Sequence, residues 1–282
     1  MRSTFVIFTI LVIFAMIGVG LIFLERYINS NAEVTQKIGR LELLNEPYWV
    51  SKELQDKIVT AAASRQEYLI LNEGTAKAIA EKLATVAWLD EAKVKVTNEA
   101  VQVSARYRRP IALIKADGKR YYIDNEFVLL DYVSIDKLAI VEIKGVRHER
   151  ITGSMLGAIW QREDIAAAVT LLELLNKMDT EVASEKPLLY EISSIDVSNY
   201  NGRKSTRKPH IVLYAKDDTE IRWGAEKGKW HLHLEAKDEE KLALLYNTYE
   251  AMGTLQLRSN HKGSFIDLMK PQKSLSLPID RY

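Results

Sequence analysis

The chain contains no cysteine in 282 residues. Disulfides, thiolate metal sites and a cysteine nucleophile are therefore excluded, while the redox compartment stays open. Neither sign of charge is in excess. Thirty-nine Lys and Arg stand against 38 Asp and Glu, for a net charge of +1. A dedicated nucleic-acid binder is usually strongly basic, so that class is disfavoured, although a local patch is not. Gly-rich phosphate loops, nucleophile elbows, fixed-period repeats and low-complexity tracts are all missing. The length suffices for one or two domains with real cores.

What is present first is a long uncharged run, FVIFTILVIFAMIGVGLIFL, from Phe5 to Leu24. As a helix it would extend ~30 Å, the thickness of a bilayer core. Only Arg2 and the terminal amine precede it, and Glu25, Arg26 and Tyr27 follow. A cleavable signal peptide is the alternative. Its apolar region should be ~7–15 residues and end at small residues. Ser30-Asn31-Ala32 is a poor cleavage site, so a retained anchor is expected. This predicts a cytoplasmic tail at 1–4, a transmembrane helix at 5–24 and a polar stalk at 25–36. Arg2 favours an inside N-terminus, with the remaining residues outside the cytoplasm. On that placement Arg106, Arg108 and Arg109 in RYRRP do not address nucleic acid.

The patterning that follows is mixed. KIGRLELL (Lys37 to Leu44) reads as a strand. Ser51 caps a helix over KELQDKIVTAAASR, with Leu54, Ile58 and Ala61 on one face. GTAKAIAEKLATVAWL is a second helix, striped by Ile79, Leu83 and Val86. The period then changes to two, with Val94 and Val96 in one run and Val101 and Val103 in the next. IALIKADGKRYYIDNEFVLLDY forms two further runs joined at Asp117-Gly118, a hairpin signal. Pro110 opens the first of them, as expected at a sheet edge. Beyond IVEIKGV, REDIAAAVTLLELLNKM is a strong helix. LLYEISSIDVS, HIVLYAK, TEIRWG and KWHLHLE all read as strands, DEEKLALLYNTYEAM as a helix capped by Asp238, and SFIDLMK as a last short strand.

This order, one anchor, then βααββ, then a β-rich region with flanking helices, resembles the bacterial cell-division protein family FtsQ, called DivIB in some groups. VAWLDEAKV is similar to that family's Pro-Trp-aliphatic segment, with Ala87 in place of the proline. RRPIALIKADGKRYYIDNEFVLL resembles its Arg-x-x-Pro-aliphatic-Ala strand. HIVLYAKDDTEIRWG with DEEKLALL, and GSFIDLM, resemble its later strand pair, helix and final strand. Thr97-Asn98, Leu44-Asn45 and Met269 depart from the pattern.

The resemblance implies an α+β fold: a single N-terminal transmembrane helix, a βααββ POTRA-type domain at 37–132 and a β domain at 140–270, with a tail at 271–282. It implies no catalysis, cofactor, small-molecule substrate or nucleic acid. The implied role is a scaffold of the division machinery that docks bitopic proteins of the FtsB/FtsL type and helps regulate septal peptidoglycan synthesis. The implied location is the cytoplasmic (inner) membrane at the division site, single-pass, with periplasmic domains. The docking edge would be the last strand, Phe265, Ile266, Asp267 and Leu268, with Phe265 as aromatic anchor. Arg207 and Lys208 would pair an acidic partner residue, and Tyr246 and Tyr249 would add to the interface.

Two other functions stand beside this one. One is a POTRA-bearing factor for secretion or outer-membrane transport. The other is an envelope-anchored metal-dependent enzyme. His231 and His233 are spaced to share a strand face, and His210, His261 or a carboxylate would be the third ligand. A solvated strand face is the plainer reading of that pair. Asp217 and Asp218 read as turn residues rather than an acid–base pair.

Overall fold

The computed structural model describes residues 16–24, 37–64, 66–147, 150–257 and 265–271. Within them the chain builds two sheets. The first comes from β1 (Ile38–Leu44), β2 (Leu69–Ile70), β3 (Leu89–Val96) and β4 (Ala100–Tyr107), in the order β2-β1-β4-β3. β1 runs parallel to β4, and β3 runs antiparallel to it. Two helices, α1 (Lys52–Ala63) and α2 (Glu73–Leu83), form the connection between β1 and β3. Each starts where a side chain satisfies an orphan backbone donor. Ser51 Oγ accepts from the Leu54 N–H at 3.3 Å, and Asn72 Oδ1 from the Thr75 N–H at 2.8 Å. Leu54 and Ile58 of α1 and Ile79 and Leu83 of α2 are buried beside Val101 and Val103 of β4.

The second sheet has eight strands. They are β5 (Pro110–Ala116), β6 (Lys119–Asp124), β7 (Leu129–Asp131), β8 (Val141–Lys144), β9 (Ile192–Asp196), β10 (Ile211–Ala215), β11 (Glu220–Gly224) and β12 (Phe265–Asp267). Their order is β12-β11-β10-β9-β8-β5-β6-β7. The pairs β5–β8, β8–β9 and β11–β12 are parallel and the others antiparallel. Alternation along the strands divides two faces. Ile114, Ile143, Ile195, Leu213 and Ile221 pack with α3 (Glu163–Val182) and α4 (Asp238–Met252) in one core. On the opposite face, Leu113, Tyr122 and Leu130 meet the first layer. There Trp88 stands edge-on to Tyr122, with ring centroids 5.8 Å apart.

The expected fold class needs correction in its first element. The expected tail at 1–4 and residues 5–15 of the expected 5–24 span lie outside the described residues, as do the stalk at 25–36 and residues 272–282 of the C-terminal tail. Residues 16–24 are helical. Among the described residues no helix is long and apolar enough to cross a membrane.

The hairpin is a second difference. Asp117 (φ 48°) and Gly118 (φ 73°) do turn the chain, in left-handed backbone that Asp and Gly tolerate. The strands they join belong to the eight-stranded sheet, not to the small one. β5 is interior, between β8 and β6, so Pro110 does not mark an edge. It is tolerated because it is the first residue of its strand, and pairing with β8 begins at Ala112. KWHLHLE is not a strand either. Trp230–Leu232 is a single 3₁₀ turn, and Leu234 adopts φ 55°. Leu188–Glu191 likewise forms a 3₁₀ turn before β9. α4 is preceded by Lys237, and Asp238 accepts the Gly228 N–H at 2.6 Å instead of capping the helix.

Two of the three arginines of RYRRP, Arg106 and Arg108, are engaged within the chain, and Arg109 is exposed. Arg106 pairs with Asp90. Arg108 stands between the sheets, 2.9 Å from Asp124, 2.7 Å from Glu126 and 3.6 Å from Asp90. The Asp124 carboxylate is buried and also accepts the Glu126 and Val128 N–H groups at 3.0 and 2.8 Å.

Candidate functional site

β12 closes one end of the eight-stranded sheet. Its register pairs Phe265 with Glu220, Ile266 with Ile221 and Asp267 with Arg222, in parallel. Ile266 and Leu268 are buried and hold the strand down; Phe265 is 44% exposed. The Leu268 N–H donates to the Arg222 carbonyl at 3.1 Å. In a parallel ladder the N–H and C=O of one residue point to the same side, and successive residues alternate. Ile266 therefore turns its backbone groups towards β11, and Phe265 and Asp267 turn theirs outward. Among the described residues no strand pairs with that outer side.

The side chains beside this edge form a small amphipathic surface. The Arg222 guanidinium lies 3.7 Å from the Phe265 ring centroid, while its Nε donates to Glu220 at 2.8 Å. The ring and the guanidinium thereby make a cation–π contact. Asp267 accepts the Met269 N–H at 3.1 Å and lies 3.6 Å from Lys270. An incoming extended segment would find two outward backbone positions, an aromatic surface and charges of both signs.

The other expected site residues do not join this edge. Arg207 and Lys208 are exposed in the loop before β10. Ile211 pairs with Gly224, so that loop lies at the end of the sheet where β12 finishes, two strands inward. Tyr246 and Tyr249 are in the core. The Tyr246 hydroxyl is 2.8 Å from Asp179 Oδ1 and 2.9 Å from the Leu175 carbonyl. Burial, with the Asp179 carboxylate beside it, pushes that hydroxyl far above its ordinary value. Burial raises Asp179 too, against the Leu189 and Leu188 N–H groups that hydrogen-bond it. The Tyr249 hydroxyl donates to the Lys186 carbonyl. Tyr246 thus ties α4 to α3, and Tyr249 ties it to the segment between α3 and the 3₁₀ turn that follows. Helical period could not separate a tyrosine with a buried hydroxyl partner from one facing solvent.

The histidines are arranged differently from the strand expectation. His231 packs edge-on against Trp230, whereas His233 meets His210 with centroids 4.5 Å apart. Burial, together with His233, lowers His210 below its ordinary value. His261 lies outside the described residues. Among the described residues no group of three or more His, Cys, Asp or Glu is placed to hold a metal. Asp217 and Asp218 form the β10–β11 turn, with Asp218 at φ 64° and Asp217 accepting the Thr219 N–H at 2.9 Å.

The sequence signal missed a buried ionic cluster at the end of β11. Lys241 is fully buried, and its Nζ donates to Glu235 at 2.6 Å. Glu235 also accepts the Ala225 N–H at 2.8 Å and lies over the Gly224 Cα, where φ is 92°. The short run Glu235 to Lys241 gives no warning of this, because a Lys one turn into a helix is normally solvated. A scan against protein-family models matches none to this chain, and a search of curated proteins finds no match.

Proposed function

We propose that the chain is a non-enzymatic docking module that captures partner proteins by adding a strand to the outer side of β12. The partners would be bitopic division proteins of the FtsB/FtsL type, and the place of action the extracytoplasmic side of the division site, as the resemblance to the FtsQ/DivIB family implies. One observation supports this reading above the rest. β12 is a terminal strand with outward backbone groups at Phe265 and Asp267, and an exposed aromatic ring lies beside them. Unpaired N–H and C=O groups on an edge supply affinity, and alternate side chains supply selectivity.

The test uses Asp267→Pro. Proline removes the outward N–H at 267 and leaves the inward bonds of Ile266 and Leu268 in place. Capture of an FtsB/FtsL-type partner in co-purification should fall at least tenfold, on the order of one lost backbone hydrogen bond plus steric exclusion at the edge. Phe265→Lys should weaken it further by removing the aromatic anchor. Unchanged capture by both variants, with native circular dichroism, would remove β12 from the proposal. A fluorescent fusion that fails to concentrate at midcell would remove the division role.

A further inference from the structure

Two loops meet at the end of the sheet near Gly224. Residues 203–210 carry Lys204, Arg207 and Lys208, all exposed. Residues 225–237 carry Lys227, Lys229 and Lys237, also exposed. The loops touch where the His210 and His233 rings are in contact, and just before the first loop the Tyr200 hydroxyl donates to Glu226 at 2.7 Å. Most carboxylates nearby are already engaged. Glu226 holds Tyr200 and Lys229, Glu235 holds Lys241, and Asp238 takes the Gly228 N–H. Glu239, at the start of α4, is exposed. Within the two loops seven Lys and Arg stand against Glu226 and Glu235, so the rim is net basic although the chain is nearly neutral.

Two leucines project from the middle of this basic rim. Leu232 is 64% exposed and Leu234 is 89% exposed, beside the half-buried Trp230. Leu234 sits at φ 55°, a conformation unfavourable for a branched residue. It persists because the next residue, Glu235, is fastened to the fully buried Lys241 and to the Ala225 N–H. The Ala236 N–H, donating to the Met269 carbonyl at 2.7 Å, holds the far side. Lys237 lies 5.8 Å from the Trp230 ring. A strained, anchored loop that displays apolar side chains to water points to something that covers them.

We propose that this tip docks onto an anionic phospholipid bilayer, the leucines entering the acyl boundary and the basic rim meeting the headgroup phosphates. The shape and charge favour a bilayer over an acidic protein. A protein needs a matching socket for a protruding leucine, whereas a fluid interface needs none, and dispersed cations are what an anionic surface attracts. Trp230 has the amphipathic character suited to that depth. The proposal does not depend on docking at β12.

The absence of native cysteine makes the test direct. The full chain carrying Leu234→Cys is labelled with an environment-sensitive fluorophore and mixed with vesicles. A second preparation carries the label at Lys95→Cys, on the exposed edge of β3. Vesicles of phosphatidylglycerol mixed with phosphatidylcholine should shift the 234 label to the blue and expose it to quenching by doxyl lipids. Pure phosphatidylcholine should not, and high salt should reverse the effect. Lys208→Glu with Lys227→Glu should raise the vesicle concentration needed by about tenfold or more. Insertion of the apolar N-terminal run alone would not depend on lipid charge and would leave the 234 label in water. Any of three results overturns the proposal: no shift on phosphatidylglycerol vesicles, an equal shift at position 95 or on neutral vesicles, or a shift produced by an acidic protein and not by lipid.

Discussion

Lys241→Met removes the cation from the most buried ion pair among the described residues. Lys241 has no exposed surface, and Glu235 retains 12% side-chain exposure. Methionine fills nearly the same volume and has no charge, so the packing against Trp223, 5.3 Å from Nζ, survives. What remains is a carboxylate deprived of its partner in a low-dielectric site. Breaking a buried pair from one side costs about 3–5 kcal/mol. Glu235 keeps the Ala225 N–H and some access to water, so the lower end applies, about 3 kcal/mol. For a chain of this size that is about 6–12 °C in the unfolding midpoint. Thermal unfolding followed by tryptophan fluorescence reads it, because Trp223 lies against the site. Lys241→Met with Glu235→Gln removes both charges and should recover most of the loss. A single variant within about 0.5 kcal/mol of the parent, or a double variant no better than the single, would refute the reasoning.

Arg108→Met should cost about 2–4 kcal/mol, because it leaves the buried Asp124 without its cation where the two sheets meet; urea unfolding reads it, and a cost near zero would mean the junction does not need the arginine. Trp88→Ala should cost about 3–5 kcal/mol, since the ring is fully buried against Tyr122 across the layers; an unchanged urea midpoint would show that this contact is dispensable. Asp164→Asn should cost about 2 kcal/mol near neutral pH. Burial works to raise the Asp164 carboxyl, but bonds from Arg162, the Arg147 N–H and Arg203 hold it below its ordinary 3.8. A depressed folded value means stability that is present above 3.8 and lost as pH falls through the folded value. The gap between parent and variant should narrow in acid; a gap independent of pH would contradict the assignment.

The elements themselves were largely legible in the sequence. Ser51 caps its helix, Leu54, Ile58, Ile79 and Leu83 are buried, and Asp117-Gly118 turns a hairpin. Each depends on local chemistry: a side-chain acceptor three residues from a free N–H, a period of 3.6, or a pair of residues that tolerate positive φ. The final strand was legible as a strand because Ile266 and Leu268 alternate about the charged Asp267. That it ends a sheet was not, since edge position is a property of the neighbours.

Tertiary structure decided the rest. Composition and period specify which residues prefer burial, but not which sheet a strand joins, because backbone pairing carries no sequence label. Thus β5 pairs with β6 and β8 rather than with β4, and Pro110 lies inside the large sheet. KWHLHLE alternates like a strand, yet the inward pull of Glu235 onto Lys241 turns it into a tight loop that displays Leu232 and Leu234. Tyr246 reads as an exposed helix residue until Asp179 and Leu175 are found within reach of its hydroxyl. Local preference is written along the chain; the sign of an exposure, the partner of a charge and the freedom of an edge arise only when distant segments compete for the same space.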